Sequence, residues 1–394
     1  VDDDPRHAPL AGVVARGLPV PSAVPVVGAT GPTRDLRDSR ADDAGRARGR
    51  LPLCGPVMSG LEVRSLYREF TTGHLLSRSK AIAVDDVSLA VHAGEVVALV
   101  GESGSGKTTI GRIMVGLLEP TSGQVVVDDV DLETMSGTDR RALRRDVQMV
   151  FQNTQNAFNP RRRVVQILSD PFRIHKLASG PELREHAAEL FRQVGLEPAM
   201  LDRFPHEFSG GQRQRINIAR ALSLSPSYLV ADEPVSALDV SVQAQILNLL
   251  ARLRSERGMG MLFVSHDMRA VSFLSDRIAV LYRGRLVELG SRDDVLERPA
   301  HPYTRALIDA VPAIGGGRSR LERVASIGEA EGSVGSEGCN FRDRCPLRAA
   351  LGNPELCETV RPPSTPVALD HQAACHFVDE GAVIARASSG GAAS

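Results

Sequence analysis

The sequence has no tryptophan, only four tyrosines among its 394 residues, and no excess of charge of either sign. Lysine and arginine together number 47 and aspartate and glutamate 48, which gives a formal net charge of −1. A nucleic-acid-binding protein usually carries a basic excess or a basic stripe, and this sequence shows neither. We therefore expect no nucleic-acid partner.

Long hydrophobic runs are also missing. The longest strongly apolar run, Val96–Val100, has the length of one strand, whereas a helix needs about 18 apolar residues to span a bilayer. No apolar stretch follows a basic start at the N-terminus, so no signal peptide is expected. The five cysteines, four of them near the C-terminus, do not form the pattern of a secreted disulfide framework. The composition predicts a cytosolic protein, and the length predicts more than one structural unit.

Composition divides the chain into five regions. Residues 1–57 are rich in Pro, Gly, Ala, Arg and Asp and have no helical or strand period. We expect a disordered extension there, either a misassigned start or a regulatory tail. The predicted regions that follow are a core over 58–312, a Gly/Ser-rich linker over 313–338, a cysteine-bearing segment over 339–378 and a disordered tail over 379–394.

Apolar patterns in the core predict a sheet covered by helices. Residues 61–66 and 87–91 alternate apolar and polar side chains, as half-buried antiparallel strands do. Residues 96–100, 228–231 and 261–264 are apolar throughout, as buried parallel strands are. A hairpin is predicted over 278–289, with its turn at Arg283-Gly284.

Helices are predicted between these strands. One ends at Gly258, and its apolar face comprises Val242, Ile246, Leu249, Leu250 and Leu253. A strand, a helix and a strand in this order imply parallel βαβ units. Residues from about 153 to 225 are expected to form an inserted, mainly helical lobe, with breaks at Pro160, Pro171, Gly180 and Pro181.

A phosphate-binding loop is the strongest local signal. The segment GESGSGKT at 101–108 matches the pattern G-x4-G-K-[ST]. Glycines let backbone N–H groups turn toward an anion without a clash at Cβ, and the following helix adds its positive dipole end. Lys107 is expected to reach the β- and γ-phosphates and the Thr108 hydroxyl to bind Mg²⁺. The candidate nucleotide-binding residues of this loop are Gly101, Ser103, Gly104, Ser105, Gly106, Lys107, Thr108 and Thr109.

Two adjacent carboxylates end the predicted strand at 228–231. An acid at the carboxyl end of a parallel strand lies where ligands bind in open α/β sheets. We expect Asp232 to hold the Mg²⁺ shell and Glu233 to act as general base toward the attacking water.

The segment FSGGQRQR at 208–215 introduces a further predicted helix, which ends near Leu224. Ser209 and Gln212 have the S-x-x-Q spacing of a capping box. A capped helix start with the bare glycines Gly210 and Gly211 is also a site that a phosphate of another molecule can approach.

Together these motifs resemble the nucleotide-binding subunits of ATP-binding cassette (ABC) transporters. The resemblance covers about residues 61–312 and rests, in the family's order, on GESGSGKTT (101–109), FSGGQRQR (208–215), LVADEP (229–234), SALD (236–239) and VSHD (264–267). It implies an α/β P-loop NTPase fold of the ABC cassette type, with a mixed central sheet, an antiparallel β subdomain and an inserted helical subdomain. A small cysteine-rich segment follows the cassette here.

The resemblance also implies roles for individual residues. Two cassettes of this family dimerise head to tail, so that Ser209, Gly210, Gly211 and Gln212 would contact ATP bound to the partner, near a dimer-contact loop that includes Asp239. Gln152 matches the glutamine that senses Mg²⁺, and His266 matches the histidine that contacts the γ-phosphate. The expected catalytic residues are Lys107, Gln152, Glu233 and His266, and the expected Mg²⁺ residues are Thr108, Gln152 and Asp232.

The aromatic residue that stacks on adenine is expected to be Phe70, which fits the family alignment. Tyr67 is the alternative, since either ring can stack on a base.

Three segments resemble oligopeptide/dipeptide importers in particular: AFNPR (157–161), HPYTRAL (301–307) and CNFRDRCP (339–346). The segment at 231–250 favours the second of the two ATPase subunits of such importers. We therefore expect an ATPase that couples ATP hydrolysis to peptide import, with nickel, glutathione or another small solute as the alternative cargo. The rivals from other classes are a soluble cassette ATPase of translation or DNA repair and a nucleotide-binding regulator without turnover.

The implied partners are a second ABC ATPase subunit in a head-to-tail heterodimer, two integral membrane permease subunits and an extracytoplasmic binding protein. The implied location is the cytoplasmic face of the inner membrane. Residues 152–161 are expected to dock a permease helix, with Phe158 and Asn159 as the positions to test.

Four cysteines, Cys339, Cys345, Cys357 and Cys375, have the spacing C-x5-C-x11-C-x17-C, and Pro346 follows the second. Thiolates are the usual ligands of iron–sulfur clusters, and a Cys-Pro step occurs in ferredoxin-type sites, whereas structural zinc usually has closely spaced pairs. We expect one [4Fe–4S] cluster, an expectation that the resemblance to peptide-importer ATPases strengthens. Zn²⁺ and four unligated thiols stay open, and Cys54 is expected to take no part.

Overall fold

The computed structural model describes residues 60–72, 79–152, 158–310 and 337–379, all of which belong to one compact unit, Gly55–Ser394. The predicted disordered extension, nearly all of the predicted linker and nearly all of the predicted tail lie outside these described residues.

The strands are β1 (Gly60–Thr72), β2 (Ser79–His92), β3 (Val96–Val100), β4 (Ser122–Val127), β5 (Val130–Asp131), β6 (Val147–Val150), β7 (Tyr228–Asp232), β8 (Gly260–Val264), β9 (Arg277–Tyr282), β10 (Arg285–Ser291), β11 (Thr365–Ala368) and β12 (His371–Ala373). The α-helices are α1 (Lys107–Met114), α2 (Gly137–Asp146), α3 (Val164–Ile174), α4 (Glu182–Gln193), α5 (Gly210–Leu222), α6 (Val240–Arg257), α7 (Met268–Leu274), α8 (Arg292–Glu297), α9 (Pro302–Asp309), α10 (Pro346–Ala350) and α11 (Leu356–Thr359). Across the described ranges, no helix combines the length and apolar composition needed to cross a membrane.

Two sheets organise the fold. The larger has eight strands in the order β11-β12-β10-β9-β3-β8-β7-β6, and the smaller has four in the order β2-β1-β4-β5. In the larger sheet, the neighbouring strands β9, β3, β8, β7 and β6 pair in parallel. Strands β9, β10, β12 and β11 pair antiparallel, so the larger sheet is mixed. The smaller sheet is antiparallel. These sheets confirm the predicted mixed α/β fold with an antiparallel subdomain.

Strand β3 lies between β8 and β9 at the centre of the larger sheet, and all five of its residues are buried. Its side chains alternate between two cores, because successive residues of a strand point to opposite faces. Val96, Ala98 and Val100 pack in the core that includes the helical lobe. Val97 and Leu99 pack in the core that includes α1 and the smaller sheet. The loop that follows β3 is therefore anchored from both faces.

The predicted helix and hairpin are both confirmed. Helix α6 ends at Arg257, and Gly258 follows in the left-handed conformation with φ +62°, which a residue without a Cβ adopts readily. Strands β9 and β10 form the hairpin, with Arg283 and Gly284 at positive φ in the turn.

The helical lobe contains α3, α4 and α5, as predicted, but the predicted break at Pro171 is wrong. Pro171 lies inside α3. Proline removes only the backbone donor that would reach Ile167. The helix extends just three residues beyond it, and its apolar side chains Val164, Ile167, Leu168 and Phe172 are buried in the core. The packing of this face outweighs one missing hydrogen bond.

The cysteine-bearing segment packs against the cassette and extends its sheet. Strand β12 pairs with β10, and Ala373 and Phe341 are buried. The Phe341 ring lies in an edge contact with Tyr282 of β9, at a centroid distance of 5.2 Å. The segment thus shares the core of the cassette.

Candidate functional site

The loop after β3 forms a tight cradle that only glycine permits at two of its positions. Gly101 and Gly106 have φ +151° and +106°. A Cβ at Gly101 would lie 2.1 Å from the Leu281 carbonyl oxygen, and one at Gly106 would lie 2.3 Å from the Ala83 carbonyl oxygen. Backbone of β9 and β2 therefore closes on the loop from two sides, and the N-terminus of α1 follows it directly.

Lys107 is the first residue of α1 and is buried. Its ammonium donates to the carbonyl oxygens of Gly101 at 2.8 Å and Glu102 at 2.7 Å. Burial lowers the pKa of Lys107, while the charges of Glu233, Asp232 and Glu102 oppose that shift. The ammonium is thus held inside the cradle, as the motif predicts.

Thr108 and Asp232 meet across the sheet edge, although 124 positions separate them. The Thr108 hydroxyl donates to Asp232 Oδ1 at 3.1 Å. Burial raises the pKa of Asp232, and the Glu233 charge adds to the increase, whereas the Thr108 hydrogen bond and the charges of Arg112 and Lys107 oppose it. A bound cation would favour the ionised form of this buried carboxyl, so the pair suits Mg²⁺.

Glu233 follows β7 in a strained conformation. Its φ is +44°, which costs a side-chain-bearing residue energy and is typical of functional sites. Its backbone N–H donates to the Val264 carbonyl oxygen at 2.9 Å, which ties it to the end of β8.

Two side chains hold that carboxylate. Gln152 Nε2 donates to Glu233 Oε2 at 2.7 Å, and His266 Nδ1 lies 3.2 Å from Glu233 Oε1. These residues come from segments after β6 and β8, the two strands that flank β7. The structure brings together all of Lys107, Thr108, Gln152, Asp232, Glu233 and His266 at the carboxyl ends of the parallel strands.

The segment around Gln152 is fixed on one side by the helical lobe. Asn217 of α5 donates to the Phe151 carbonyl oxygen at 3.0 Å. Phe158 is 5% exposed and lies beneath the Arg220 guanidinium, 5.3 Å from its ring. Phe158 is therefore a core residue, and the docking of a permease helix by residues 152–161 stays a prediction. Asn159, Pro160 and Arg161 are exposed.

The predicted capping box at the start of α5 is confirmed. Gln212 N–H donates to the Ser209 hydroxyl at 3.3 Å, and Ser209 N–H donates to Gln212 Oε1 at 3.0 Å. A Cβ at Gly211 would lie 2.5 Å from Val242 of α6. Asp239 is the N-cap of the same α6. The glycine-bearing helix start and Asp239 thus lie side by side, on the surface where α5 and α6 begin.

Phe70 and Tyr67 occupy different environments on β1. Phe70 pairs with Ala81 of β2, two residues before the Ala83 carbonyl that touches Gly106. The Arg68 guanidinium lies 4.6 Å above the Phe70 ring. Tyr67 pairs with Ser122 of β4 and donates its hydroxyl to Glu69 at 3.3 Å.

The sequence motifs did not identify two residues that contact the cradle. The Glu102 backbone N–H donates to the Tyr303 hydroxyl at 2.9 Å, and Arg344 donates to both carboxylate oxygens of Glu102. Tyr303 lies in the HPYTRAL segment at 301–307, outside the motifs of the nucleotide site. Arg344 precedes Cys345, and no local signal distinguishes it from other arginines.

The four C-terminal thiols share one environment. Burial raises the pKa of Cys339 to about 11 and that of Cys375 to about 12, and the charges of neighbouring thiols add to both shifts. The Cys339 N–H donates to the Cys357 carbonyl oxygen at 2.8 Å. Among the residues that the structure describes, no group of three or more His, Cys, Asp or Glu side chains is arranged to hold a metal ion. The geometry therefore lends no direct support to the expected iron–sulfur or zinc centre.

Two protein families match the chain. The profile described as ABC transporter matches residues 84–236, which include the cradle and Glu233. The profile described as oligopeptide/dipeptide transporter, C-terminal region, matches residues 287–350, which include Tyr303 and Arg344.

Similar proteins come from several bacteria. A protein of Sinorhizobium fredii named a probable peptide ABC transporter ATP-binding protein is 47% identical over 295 residues, 75% of this chain and 82% of that protein. The oligopeptide transport ATP-binding protein AppF of Bacillus subtilis is 41% identical over 80% of this chain and 97% of its own. A solved ATP-binding cassette, dimeric and bound to ADP and Pi after hydrolysis, matches with a TM-score of 0.54 and 30% identity over 59% of this chain and 98% of that one.

Proposed function

The chain belongs to the ABC transporter family and is an ATPase of the cassette type, and from this premise we propose that it is the energy-coupling subunit of a membrane importer of peptides. The peptide cargo is supported by the names of the relatives, which are peptide and oligopeptide transport proteins. The match to the C-terminal region of oligopeptide/dipeptide transporters supports the same class.

ATP binds, in this proposal, along the cradle. The backbone of Gly101, Ser103, Gly104, Ser105 and Gly106 surrounds the phosphates, followed by Lys107, Thr108 and Thr109 of α1. Lys107 would exchange its two carbonyl partners for phosphate oxygens, which carry more negative charge. Thr108 and Asp232, with Gln152, would hold Mg²⁺, which neutralises charge on the phosphates. Phe70 would stack on adenine.

The observation that carries the proposal is the position of the Glu233 carboxylate. It lies beside the buried Asp232 and is held on both oxygens by Gln152 and His266. A carboxylate aimed by two such partners can accept a proton from a water positioned for attack on the γ-phosphate. When ATP binds, His266 and Gln152 would release the Glu233 carboxylate toward the attacking water, and Gln152 would turn toward Mg²⁺.

A second cassette would complete the site. Ser209, Gly210, Gly211 and Gln212 lie at the start of α5, where the positive end of the helix dipole favours an anion. The similar cassette of solved structure is a dimer. We propose that these residues, with Asp239, contact ATP bound to a partner cassette in a head-to-tail heterodimer.

The same subunit pair would dock on two permease subunits at the cytoplasmic face of the membrane, with an extracytoplasmic binding protein delivering the cargo. Asn159, Pro160 and Arg161 offer an exposed surface between Gln152 and the helical lobe. This junction can transmit nucleotide-dependent movement of Gln152. Nickel complexes and glutathione are the alternative cargoes.

We propose a metal centre at Cys339, Cys345, Cys357 and Cys375, with [4Fe–4S] favoured over Zn²⁺. Support comes from their spacing in the sequence and from two backbone donors that face sulfur, Arg348 N–H to Cys345 Sγ and Phe377 N–H to Cys375 Sγ. Such N–H groups stabilise thiolate ligands. A bound cluster would hold the segment together.

Metal analysis of the full chain, purified without oxygen, tests that centre. A brown protein with absorption near 400 nm and about four irons per chain supports the cluster. A colourless preparation with one zinc and no iron decides for zinc, and one with neither metal rejects the centre.

The cargo is tested with the assembled complex in membrane vesicles that contain the permeases and the binding protein. We expect short peptides to stimulate ATP turnover, whereas nickel complexes and glutathione leave it at the basal rate. Stimulation by one of those two solutes alone would overturn the peptide assignment. Failure of the chain to assemble with integral membrane proteins would favour the soluble ATPases instead.

A further inference from the structure

Two segments of the C-terminal region contact Glu102 of the phosphate cradle. Its backbone N–H donates to the Tyr303 hydroxyl at 2.9 Å. Its carboxylate accepts two hydrogen bonds from Arg344, at 2.9 and 3.0 Å. Tyr303 belongs to α9 and Arg344 to the turn before Cys345, so that two separate segments beyond the cassette motifs converge on the cradle.

Tyr303 is held rigidly where it meets Glu102. Its side chain is buried, and its ring lies 4.5 Å from that of Tyr282 and 5.5 Å from that of Phe341. Its backbone N–H donates to His301 Nδ1 at 3.0 Å. The His301 N–H in turn donates to the buried Glu288 carboxylate at 2.9 Å.

The Glu288 carboxylate connects this network to the end of the chain. His371 Nε2 of β12 lies 2.8 Å from Glu288 Oε1, and both side chains are buried. A series of buried polar contacts therefore runs from β12 through Glu288 and His301 to the backbone N–H of Tyr303.

Arg344 is fixed as firmly. Its side chain is 15% exposed, and its guanidinium lies 3.4 Å from the Tyr282 hydroxyl and 5.9 Å from the Phe341 ring. Such a bidentate pair with a carboxylate is oriented as well as charged. Both the backbone N–H and the carboxylate of Glu102 are therefore engaged by the C-terminal region.

Glu102 matters because of where it lies. Its carbonyl oxygen accepts from Lys107 at 2.7 Å, and its charge acts on the Lys107 ammonium. A carboxylate this close to a phosphate cradle repels a triphosphate, and a guanidinium paired with it removes most of that repulsion.

We propose that Tyr303 and Arg344 are positioning residues of the ATP site, through which the cysteine-bearing segment sets the affinity of the chain for ATP. Tyr303 fixes the first turn of the cradle, and Arg344 neutralises Glu102. This inference rests on the proposed assignment of residues 101–109 as the phosphate cradle.

The test uses the full chain and measures the Kd of MgATP by displacement of a fluorescent ATP analogue. Arg344→Gln should weaken binding about fivefold, because the Glu102 charge is then unpaired. Arg344→Lys should retain most of the affinity, since the charge stays. In the assembled complex, Arg344→Gln should raise the KM for ATP and leave kcat within about twofold.

A double variant distinguishes the neutralisation of Glu102 by Arg344 from a general loss of structure. In a Glu102→Gln background, Arg344→Gln should leave the Kd of ATP unchanged, because no carboxylate remains to neutralise. Tyr303→Phe keeps the buried ring and removes only the acceptor, and it should weaken binding about threefold.

Arg348→Gln is the matched control. Arg348 lies four residues from Arg344 and pairs with Glu358 inside the segment, so its loss should leave the Kd of ATP unchanged. Equal weakening by Arg344→Gln and Arg348→Gln, or the same weakening with and without the Glu102 carboxylate, would overturn the inference. Lys107→Ala must abolish tight binding in the same assay. If it does not, the cradle assignment itself fails.

Discussion

Gln152 donates to the Glu233 carboxylate at 2.7 Å, although 81 positions separate the two residues. His266 takes the second oxygen. The proposed base is thus engaged by the two residues proposed to sense Mg²⁺ and the γ-phosphate. This arrangement links three motifs in one cluster.

Removing the charge of the cradle should weaken ATP binding. Lys107→Ala deletes the buried ammonium, and the Kd of MgATP should rise by about 100-fold, since charge-assisted contacts to phosphate are lost. Isothermal titration of the full chain measures this effect. Arg140→Ala, on the exposed face of α2, removes one positive charge elsewhere and should leave the Kd unchanged. A Kd in Lys107→Ala equal to that of the unmodified chain would remove Lys107 from the site.

Alanine substitution distinguishes the two candidates on β1 for the aromatic residue that stacks on adenine. Phe70→Ala should weaken ATP binding by about fivefold, the value of one aromatic contact, and Phe70→Tyr should retain it. Tyr67→Ala should have little effect, because its pairing with Ser122 places it toward β4. The reverse order of the two alanine variants would assign the stacking to Tyr67.

Coupling should depend on the exposed turn after Phe158. Arg161→Glu reverses an exposed charge at the proposed permease contact. The assembled complex should keep its basal ATP turnover and lose peptide uptake by about tenfold. Arg173→Glu, an exposed arginine on the last turn of α3, is the matched control and should keep both. Equal uptake by the two variants would locate the docking surface elsewhere.

Acid should destabilise the chain through His301. Burial lowers the pKa of His301 from 6.5 to about 4, and the Glu288 charge opposes the shift. The unfolded chain therefore binds this proton more readily than the folded chain between those values, so the free energy of unfolding falls as the pH drops. The expected loss between pH 7 and pH 5 is about 2 kcal/mol.

His301→Asn checks that effect. Asparagine keeps an acceptor for the Tyr303 N–H and does not titrate, so the variant should lose less thermal stability than the parent chain between the same two pH values. An equal fall in Tm for both proteins would contradict the role of His301.

The sequence could indicate a candidate nucleotide site because the chemistry of such a site requires particular residue types at short spacings. The loop at 101–108 and the acid pair Asp232-Glu233 follow buried strands, and strand ends of a parallel sheet meet at one edge. The hydrogen bond from Glu102 to Tyr303 spans 201 positions, and no local pattern encodes such a contact. Pro171 was misread because tertiary packing of α3 outweighs a local signal. Strand β12 has three residues, too few for a periodic pattern.

Peptide uptake by the assembled complex, with and without the Glu233 carboxylate, tests the central claim most directly. We predict that vesicles with the unmodified chain accumulate peptide only when ATP is present on the cassette side. Glu233→Gln should still bind ATP, reduce ATP hydrolysis by about 100-fold or more and abolish sustained uptake, with the cassettes held in a closed dimer. Uptake and hydrolysis at the parental rate in Glu233→Gln would contradict the account.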